Sequence, residues 1–307
     1  MSANRASLLG IDIGGTKTAF IVGTESGEVI ARAEIGSDSG HGRDKMLDDI
    51  RLGALDMLGR YPDIQGCGVS VGGPVDAQKG LVLGPPHLPG WDRVDLPAEL
   101  SALGRPVAVE HDAKAGALAE WKFGAGQGAD NLVFLTLGTG IGAGIIADGR
   151  LLRGHVNAAG EIGHWRIAET GPELYGKPGS LEGYASGAGL AALARHDHPD
   201  DLGSVSSAKE LAERARAGEV LAIRSIARSG EALGRAIAQL IDLLAPERVI
   251  LGGLAERIGE PLLAPMRAAI AREALPALAQ RCNVVLSQFG PAIGDVAALA
   301  VAANATR

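Results

Sequence analysis

Two distant stretches of this chain follow one plan, and that plan restricts the fold more than any other feature. The apolar run Leu8-Leu9-Gly10-Ile11 enters the turn Asp12-Ile13-Gly14-Gly15-Thr16-Lys17 and leaves through Ala19-Phe20-Ile21-Val22. Later, Leu132-Val133-Phe134-Leu135-Thr136-Leu137 enters Gly138-Thr139-Gly140-Ile141-Gly142-Ala143-Gly144 and leaves through Ile145-Ile146. Strand, glycine-rich turn, strand is thus written twice. Glycine lets backbone N–H groups approach a phosphate closely and point at it. Two such turns, one beside the carboxylate of Asp12, suggest a nucleotide held from both sides together with a metal ion. Either turn alone would be an ordinary hairpin. Thr16 stands between the last glycine and Lys17, so the first turn is no Walker A loop. Gly138, Gly140, Gly142 and Gly144 run into a strand, not a helix, which excludes a dinucleotide fingerprint.

Strand-like runs at 8–13, 19–22, 29–34, 68–71, 107–110, 132–137, 144–147, 249–251 and 284–286 alternate with helical patterns. The helices are expected over 42–59, 113–123, 187–195, 207–217, 219–245, 255–273 and 292–304. Hairpins followed by alternating elements predict α/β or α+β layers. Ser207 and Glu210 are spaced as a capping box, Gly218 stands where a C-terminal glycine belongs, and Pro246 stops the long helix before it. The 307 residues suffice for two lobes, and the 45 glycines fit many tight turns at a ligand site. A net charge of −7 without a basic run argues against nucleic acid as a partner. Cys67 and Cys282 lack metal or redox spacing, and no signal-peptide pattern or bilayer-length apolar stretch is visible. The expectation is a soluble, cytoplasmic protein with no membrane partner.

The strand Val107-Ala108-Val109-Glu110 runs into His111 and Asp112, and a helix follows. Asp112 fits a helix N-cap, and equally the place where substrate crevices form at the carboxyl end of a strand. Glu161 and His164, in Gly160-Glu161-Ile162-Gly163-His164, and Glu182, among the glycines of 179–187, stand on glycine-rich backbone. They suit hydrogen bonding to sugar hydroxyls, or plain solvation. Gly68-Val69-Ser70-Val71-Gly72 matches the nucleophile-elbow string, with Asp112 and His164 following in hydrolase order. That elbow needs a helix after it, and Gly73-Pro74-Val75-Asp76-Ala77 reads as a turn.

Taken together, these motifs resemble the ROK family (repressors, open reading frames and sugar kinases), in order and over nearly the whole chain. Asp12-Ile13-Gly14-Gly15-Thr16-Lys17 is similar to its first phosphate loop, and Gly72-Gly73-Pro74 to the segment beside the sugar. Asp112 matches the catalytic aspartate, and Thr136-Leu137-Gly138-Thr139-Gly140-Ile141-Gly142 resembles the second phosphate loop. Ala159 to His164 resembles the loop that holds sugar hydroxyls, Glu182 a further sugar contact, and Gly252-Gly253 the adenosine-side turn. The resemblance implies a two-lobed α/β fold of the actin-like ATPase or hexokinase type (ribonuclease H-like). Residues 1–112 plus 293–307 would form the small lobe and 113–292 the large one, with sugar and ATP in the cleft. It implies an ATP-dependent hexose kinase in which Asp112 is the general base, with O6 of glucose the leading acceptor. Gly73, Pro74, His111, Glu161, His164 and Glu182 would surround the sugar, Mg²⁺ would ride on the phosphates near Asp12, and the chain would form a homodimer or homotetramer.

Two departures stand out. His111 occupies the place where many members carry a sugar-bonding asparagine, and imidazole reaches differently from an amide. Where members usually carry a C-x-C-G-x-x-G-C zinc site, this chain has Glu173-Leu174-Tyr175-Gly176-Lys177-Pro178-Gly179-Ser180. Without thiolates no structural zinc is expected, and the loop must be ordered by its own packing. The competing readings are a kinase for fructose, mannose or an N-acetylhexosamine, and a non-catalytic sugar-binding or regulatory protein. The repressor branch, which resembles kinases with an added helix-turn-helix, is disfavoured by the eleven residues before Asp12 and the acidic chain.

Overall fold

The doubled plan of the sequence is a doubled sheet. The computed structural model describes residues 7–37, 42–174 and 176–306, so Tyr175 of the zinc-site comparison lies outside the described residues. Contacts divide the chain into two compact units. The first comprises Met1–Gln127, Leu151–Ala159 and Pro291–Arg307, the second Gly128–Arg150 and Gly160–Gly290. By this division residues 113–127 and 151–159 stand with the first unit, whereas the expected boundary fell at Asp112.

In the first unit, β1 (Leu8–Ile13), β2 (Lys17–Gly23) and β3 (Val29–Gly36) form an antiparallel meander. β4 (Gly66–Val71) joins β1 in parallel. A small antiparallel sheet of β5 (Val75–Asp76), β6 (Leu81–Leu83) and β7 (Asp92–Asp95) follows, which no sequence pattern announced. β8 (Val107–His111) then closes the main sheet in the order β3-β2-β1-β4-β8. In the second unit, β9 (Leu132–Leu137) and β10 (Ile141–Ala147) form a hairpin, with β11 (Arg150–Leu151) at the edge where the chain leaves the unit. After the two-residue strands β12 (Glu173–Leu174) and β13 (Lys177–Pro178), β14 (Arg248–Leu251) and β15 (Asn283–Leu286) add in parallel. The order β11-β10-β9-β14-β15 repeats the first sheet strand for strand.

Helix α1 (Arg43–Arg60) turns Met46, Leu47, Ile50, Ala54 and Met57 inward, the stripe expected of a helix on a sheet face. The one-turn helix α2 (Leu96–Glu99) precedes β8, and α3 (Asp112–Phe123) follows it. The C-terminal helix (Ile293–Ala305) lies against β1, β4 and α3. It sits close because glycines line its seat: a Cβ on Gly68 would stand 2.0 Å from the Ala302 nitrogen, and one on Gly10 2.8 Å from Ala298 Cβ. Gly68→Ala is therefore expected to destabilise the protein by about 1–3 kcal/mol through overpacking against backbone. Chemical denaturation checks it, and an unchanged midpoint would show that the helix can move away at no cost.

The second unit continues with α4 (Leu181–Ala185), α5 (Gly187–Asp197), α6 (Pro199–Leu202), α7 (Ala208–Arg216) and α8 (Val220–Leu244). Ser207 caps α7 by accepting from the Glu210 N–H at 3.2 Å, while Glu210 reaches back to Ser206, one residue beyond the expected capping box. α8 ends at Ala245 in the left-handed region (φ 44°), just before Pro246. The helix expected over 255–273 is two, α9 (Leu254–Ile258) and α10 (Glu260–Glu273), because Gly259 at φ 71° breaks the run. α8 and α10 pack closely: a Cβ on Gly230 or Gly234 would meet the Leu262 or Met266 carbonyl oxygen at 2.3 Å. The apolar face of α8 is thus covered within the unit. α11 (Pro276–Ala279) leads into β15. Among the described residues, no helix is long and apolar enough to cross a membrane.

Candidate active site

Parallel register brings the candidate groups of the first unit to one sheet end. Asp12, Ser70 and Glu110 form one row across β1, β4 and β8, and Ile13, Val71 and His111 form the next. The chain leaves that row at Gly14-Gly15, at Gly72-Gly73 and at Asp112, the carboxyl end of three parallel strands, where open α/β sheets bind ligands. Ser70 is buried in β4 and bonded to Asp12, and a cis Gly73–Pro74 turn follows instead of a helix, so the nucleophile-elbow reading falls.

Asp112 is half exposed, with 52% of its side chain open. It is the first residue of α3, not the cap; His111 is the cap, and its Nδ1 accepts from the Ala113 N–H at 3.2 Å. Asp112 Oδ1 shares that N–H at 2.6 Å and lies 3.1 Å from His111 Nδ1. Behind the pair, buried Glu110 accepts from the His111 N–H and Asn157 Nδ2 at 3.0 Å each, and from Arg153. Lys114, also buried, donates to the Asn157 carbonyl at 3.0 Å. The residues on either side of His111 and Asp112 are thereby fixed, which positions both.

Asp12 stands against the start of the C-terminal helix: a Cβ on Gly294 would approach its Oδ2 to 2.5 Å. Burial first, and then the Asp112 carboxylate, raise its pKa from 3.8 to about 6, against the hydrogen bond from Ser70. A carboxylate with a raised value favours the folded state most when protonated. Asp12 therefore carries no penalty below about pH 3.8 and destabilises increasingly as pH rises through about 6. Asp12→Asn is expected to stabilise the protein by about 2–3 kcal/mol at pH 7.5 and by little at pH 4. Denaturant midpoints at the two pH values check this; an equal change at both would show that Asp12 titrates normally. Lys17, expected on phosphate, opens β2 and bonds Glu34 Oε2 at 3.2 Å across the hairpin.

The second turn is shorter than expected. Only Gly138, Thr139 and Gly140 lie outside the strands; Gly142 is in β10, paired with Thr136 of β9. Three segments of the second unit converge on it. Gly252-Gly253 follows β14, with the Gly252 N–H bonded to the Leu135 carbonyl at 3.0 Å and Gly253 at φ 71° over Leu137. The N-terminus of α5 meets it through the Gly187 N–H on the Gly138 carbonyl at 2.7 Å. Glu182, expected on a glycine-rich loop, is instead on α4, and its Oε2 accepts from the Ile141 N–H at 2.8 Å. Gly163 lies beside the same oxygen, its Cβ position 3.1 Å away. Glu161 and His164 are exposed at the two ends of a short 3-10 turn, held by Gly160 at φ 94° against the Ala143 carbonyl.

The described residues of the loop after His164 are tied together by hydrogen bonds. β12 and β13 form a minimal hairpin, and the Ile167 N–H and Leu181 N–H bond the Gly179 and Trp165 carbonyls at 2.9 and 2.8 Å. Tyr184 Oη donates to the Thr170 carbonyl at 2.8 Å and receives Arg228 at 3.0 Å; Arg228 also pairs with Asp197. Glu173 to Ser180 offers no thiolate, so these residues do not fit a zinc site of the family type. Among the described residues, no group of three or more His, Cys, Asp or Glu is placed to hold a metal. The Asp12 carboxylate beside the first turn fits Mg²⁺ that arrives with phosphates, since Mg²⁺ is commonly held by one or two carboxylates plus substrate oxygens.

One residue near Asp112 escaped the sequence reading. His87 packs its ring over Gly72, where a Cβ would come within 2.2 Å of Cε1, and its backbone over Gly15. Its only sequence signal is a polar ring inside the proline- and glycine-rich Pro85-Pro86-His87-Leu88-Pro89-Gly90, which reads as an ordinary loop.

The ROK family model matches residues 8–304. A glucokinase of Thermotoga maritima is 32% identical over 97% of this chain and 96% of its own length. A xylose repressor of Caldicellulosiruptor bescii is 31% identical over 86% of this chain and 70% of its own. Among solved structures, a ROK family glucokinase from Streptomyces griseus, in complex with glucose and AMPPNP, superposes with a TM-score of 0.81. It is 30% identical, with 97% of this chain and 99% of that one covered.

Proposed function

This chain belongs to the ROK family, with its actin-like, hexokinase-type fold, and from that premise we propose that it phosphorylates a hexose, glucose first, at O6. It is an ATP-dependent sugar kinase, for which glucose, its O6 hydroxyl and the base Asp112 are proposed. The observation that carries the reading is the half-exposed Asp112 at the end of β8, beside the Asp12 turn, with Glu110 and Lys114 on either side both tied to Asn157.

In this mechanism Asp112 accepts the proton of the sugar hydroxyl as that oxygen bonds to the γ-phosphorus. The bond from phosphorus to the bridging oxygen breaks, and ADP leaves with the electron pair. A base of this kind acts only within hydrogen-bond reach of the hydroxyl. His111, Gly73 and Pro74 would bind sugar hydroxyls, and Glu161, His164 and Glu182 are likewise proposed as sugar-binding residues. Gly14, Gly15 and Thr16, with Gly138, Thr139 and Gly140, would follow the phosphates by backbone and hydroxyl contacts. Gly252 and Gly253 would border the adenosine. Mg²⁺, when bound with the phosphates near Asp12, supplies charge neutralisation of the transferring group.

ATP consumption coupled to sugar-phosphate formation, over a panel of hexoses with Mg²⁺ and no added zinc, tests this reading. Fast turnover of glucose supports it; turnover of mannose, fructose or an N-acetylhexosamine alone changes the substrate. No turnover with any hexose would favour a regulatory role, as the repressor relative has.

A further inference from the structure

Two imidazoles sit on two consecutive residues of one turn. A Cβ on Gly72 would come within 2.2 Å of His87 Cε1 and 2.7 Å of its Nε2. A Cβ on Gly73 would come within 2.3 Å of His111 Cδ2 and 2.8 Å of its Nε2. The absent side chains of Gly72 and Gly73 are thus the seats of the two rings, and Asp112 adjoins the second of them. His111 Nδ1 faces the Ala113 N–H at 3.2 Å and Asp112 Oδ1 at 3.1 Å, which leaves Nε2 as the nitrogen above Gly73. His87 is exposed, and after desolvation the Asp112 and His111 side chains act on its pKa in opposite directions. Its burial lowers its pKa against the pull of Asp112, and at neutral pH it offers one donor and one acceptor nitrogen.

We infer that His87 is a further substrate-positioning residue, and that His87 and His111 together choose among hexoses by hydrogen-bonding ring hydroxyls beside the one that faces Asp112. The inference rests on the reading of this chain as a hexose kinase acting at Asp112. A site built to bond a hydroxyl discriminates sharply against an analogue that lacks it or holds it elsewhere, because the site's polar group is then left unpaired. An imidazole ends in a ring nitrogen that stands farther from its own backbone than an amide nitrogen does. Two of them on adjacent seats therefore define a different set of hydroxyl positions from one asparagine.

The test compares kcat and KM for glucose, mannose, galactose and N-acetylglucosamine, and KM for ATP, in the unaltered protein and in His87→Ala, His87→Asn and Gly72→Ala. The expected result for His87→Ala is a rise of about five- to tenfold in KM for the preferred hexose. Its kcat and the KM for ATP stay close to normal, and the preference among the four sugars narrows. His87→Asn recovers part of the KM. Gly72→Ala, which displaces the ring without removing it, behaves as His87→Ala does. An unchanged hexose KM and preference in His87→Ala would overturn the inference and leave the kinase reading intact. A uniform fall in all parameters with a lowered melting temperature would also overturn it, by making the ring a packing element. Failure of the unaltered protein to turn over any hexose would overturn the kinase reading and the inference with it.

Discussion

Asp112→Asn is expected to lower kcat by about two to four orders of magnitude while sugar affinity stays within a fewfold of normal. The amide keeps the size of the carboxylate and one acceptor oxygen, so α3 and the contact with the Ala113 N–H survive. What disappears is the ability to take a proton. The substitution also removes a negative charge that raises the pKa of Asp12, so Asp12 should titrate lower in the variant. The coupled assay reads the rate. Sugar binding is read by fluorescence of Trp165, which follows His164 directly and whose carbonyl accepts from Leu181 at 2.8 Å. A variant that turned over at close to the normal rate would remove Asp112 from the chemistry.

The second large effect is expected at Glu182. Its Oε2 accepts the Ile141 N–H at the exit of the second turn, and Gly140 and Gly163 both close on that oxygen. One carboxylate therefore ties the loop carrying Glu161 and His164 to the turn carrying Gly138, Thr139 and Gly140. Glu182→Ala leaves a backbone donor without its charged acceptor, a loss of about 1.5–3 kcal/mol for such a bond. In kcat/KM that corresponds to a fall of roughly ten- to 150-fold, with the KM for sugar and the KM for ATP both raised. Glu182→Gln, which keeps an acceptor oxygen, should lie between. If only the sugar KM moved, the bond to Ile141 would carry no coupling between loop and turn.

Much of this was legible in the sequence because its signals are local. The apolar runs around Asp12 and Gly138 marked the hairpins, and the polar pair after Glu110 marked the strand end at His111 and Asp112. What was not legible depends on position in space. Glu182 read as a loop residue because α4 is five residues long, too short for a helical period to show. Gly142 read as turn because a glycine in a strand looks the same as one outside it, until pairing with Thr136 decides. Asp112 read as the cap because aspartate is the commoner cap and histidine a rare one; the cap geometry belongs to His111. His87 is fifteen residues from Gly72 in sequence, and only the folded turn brings ring and glycine together. Lys114 and Glu110 are charged residues with no sequence signal of burial, which emerges only with Asn157 and Arg153 in place.

The seat that Gly10 and Gly68 make for the C-terminal helix has a consequence for synthesis. The strands β1, β2 and β4 are among the first segments to leave the ribosome, yet Leu8, Ala19 and Ile21 find their packing partners in Ala298, Leu299, Ala302 and Ala303. The second unit ends at Gly290, before that helix begins. The half of the protein that is translated first is therefore completed last, and during elongation its sheet presents an apolar face with an unfilled groove. Nascent chains stopped short of residue 291 should recruit holdase chaperones to that face, and release of the final helix should dismiss them.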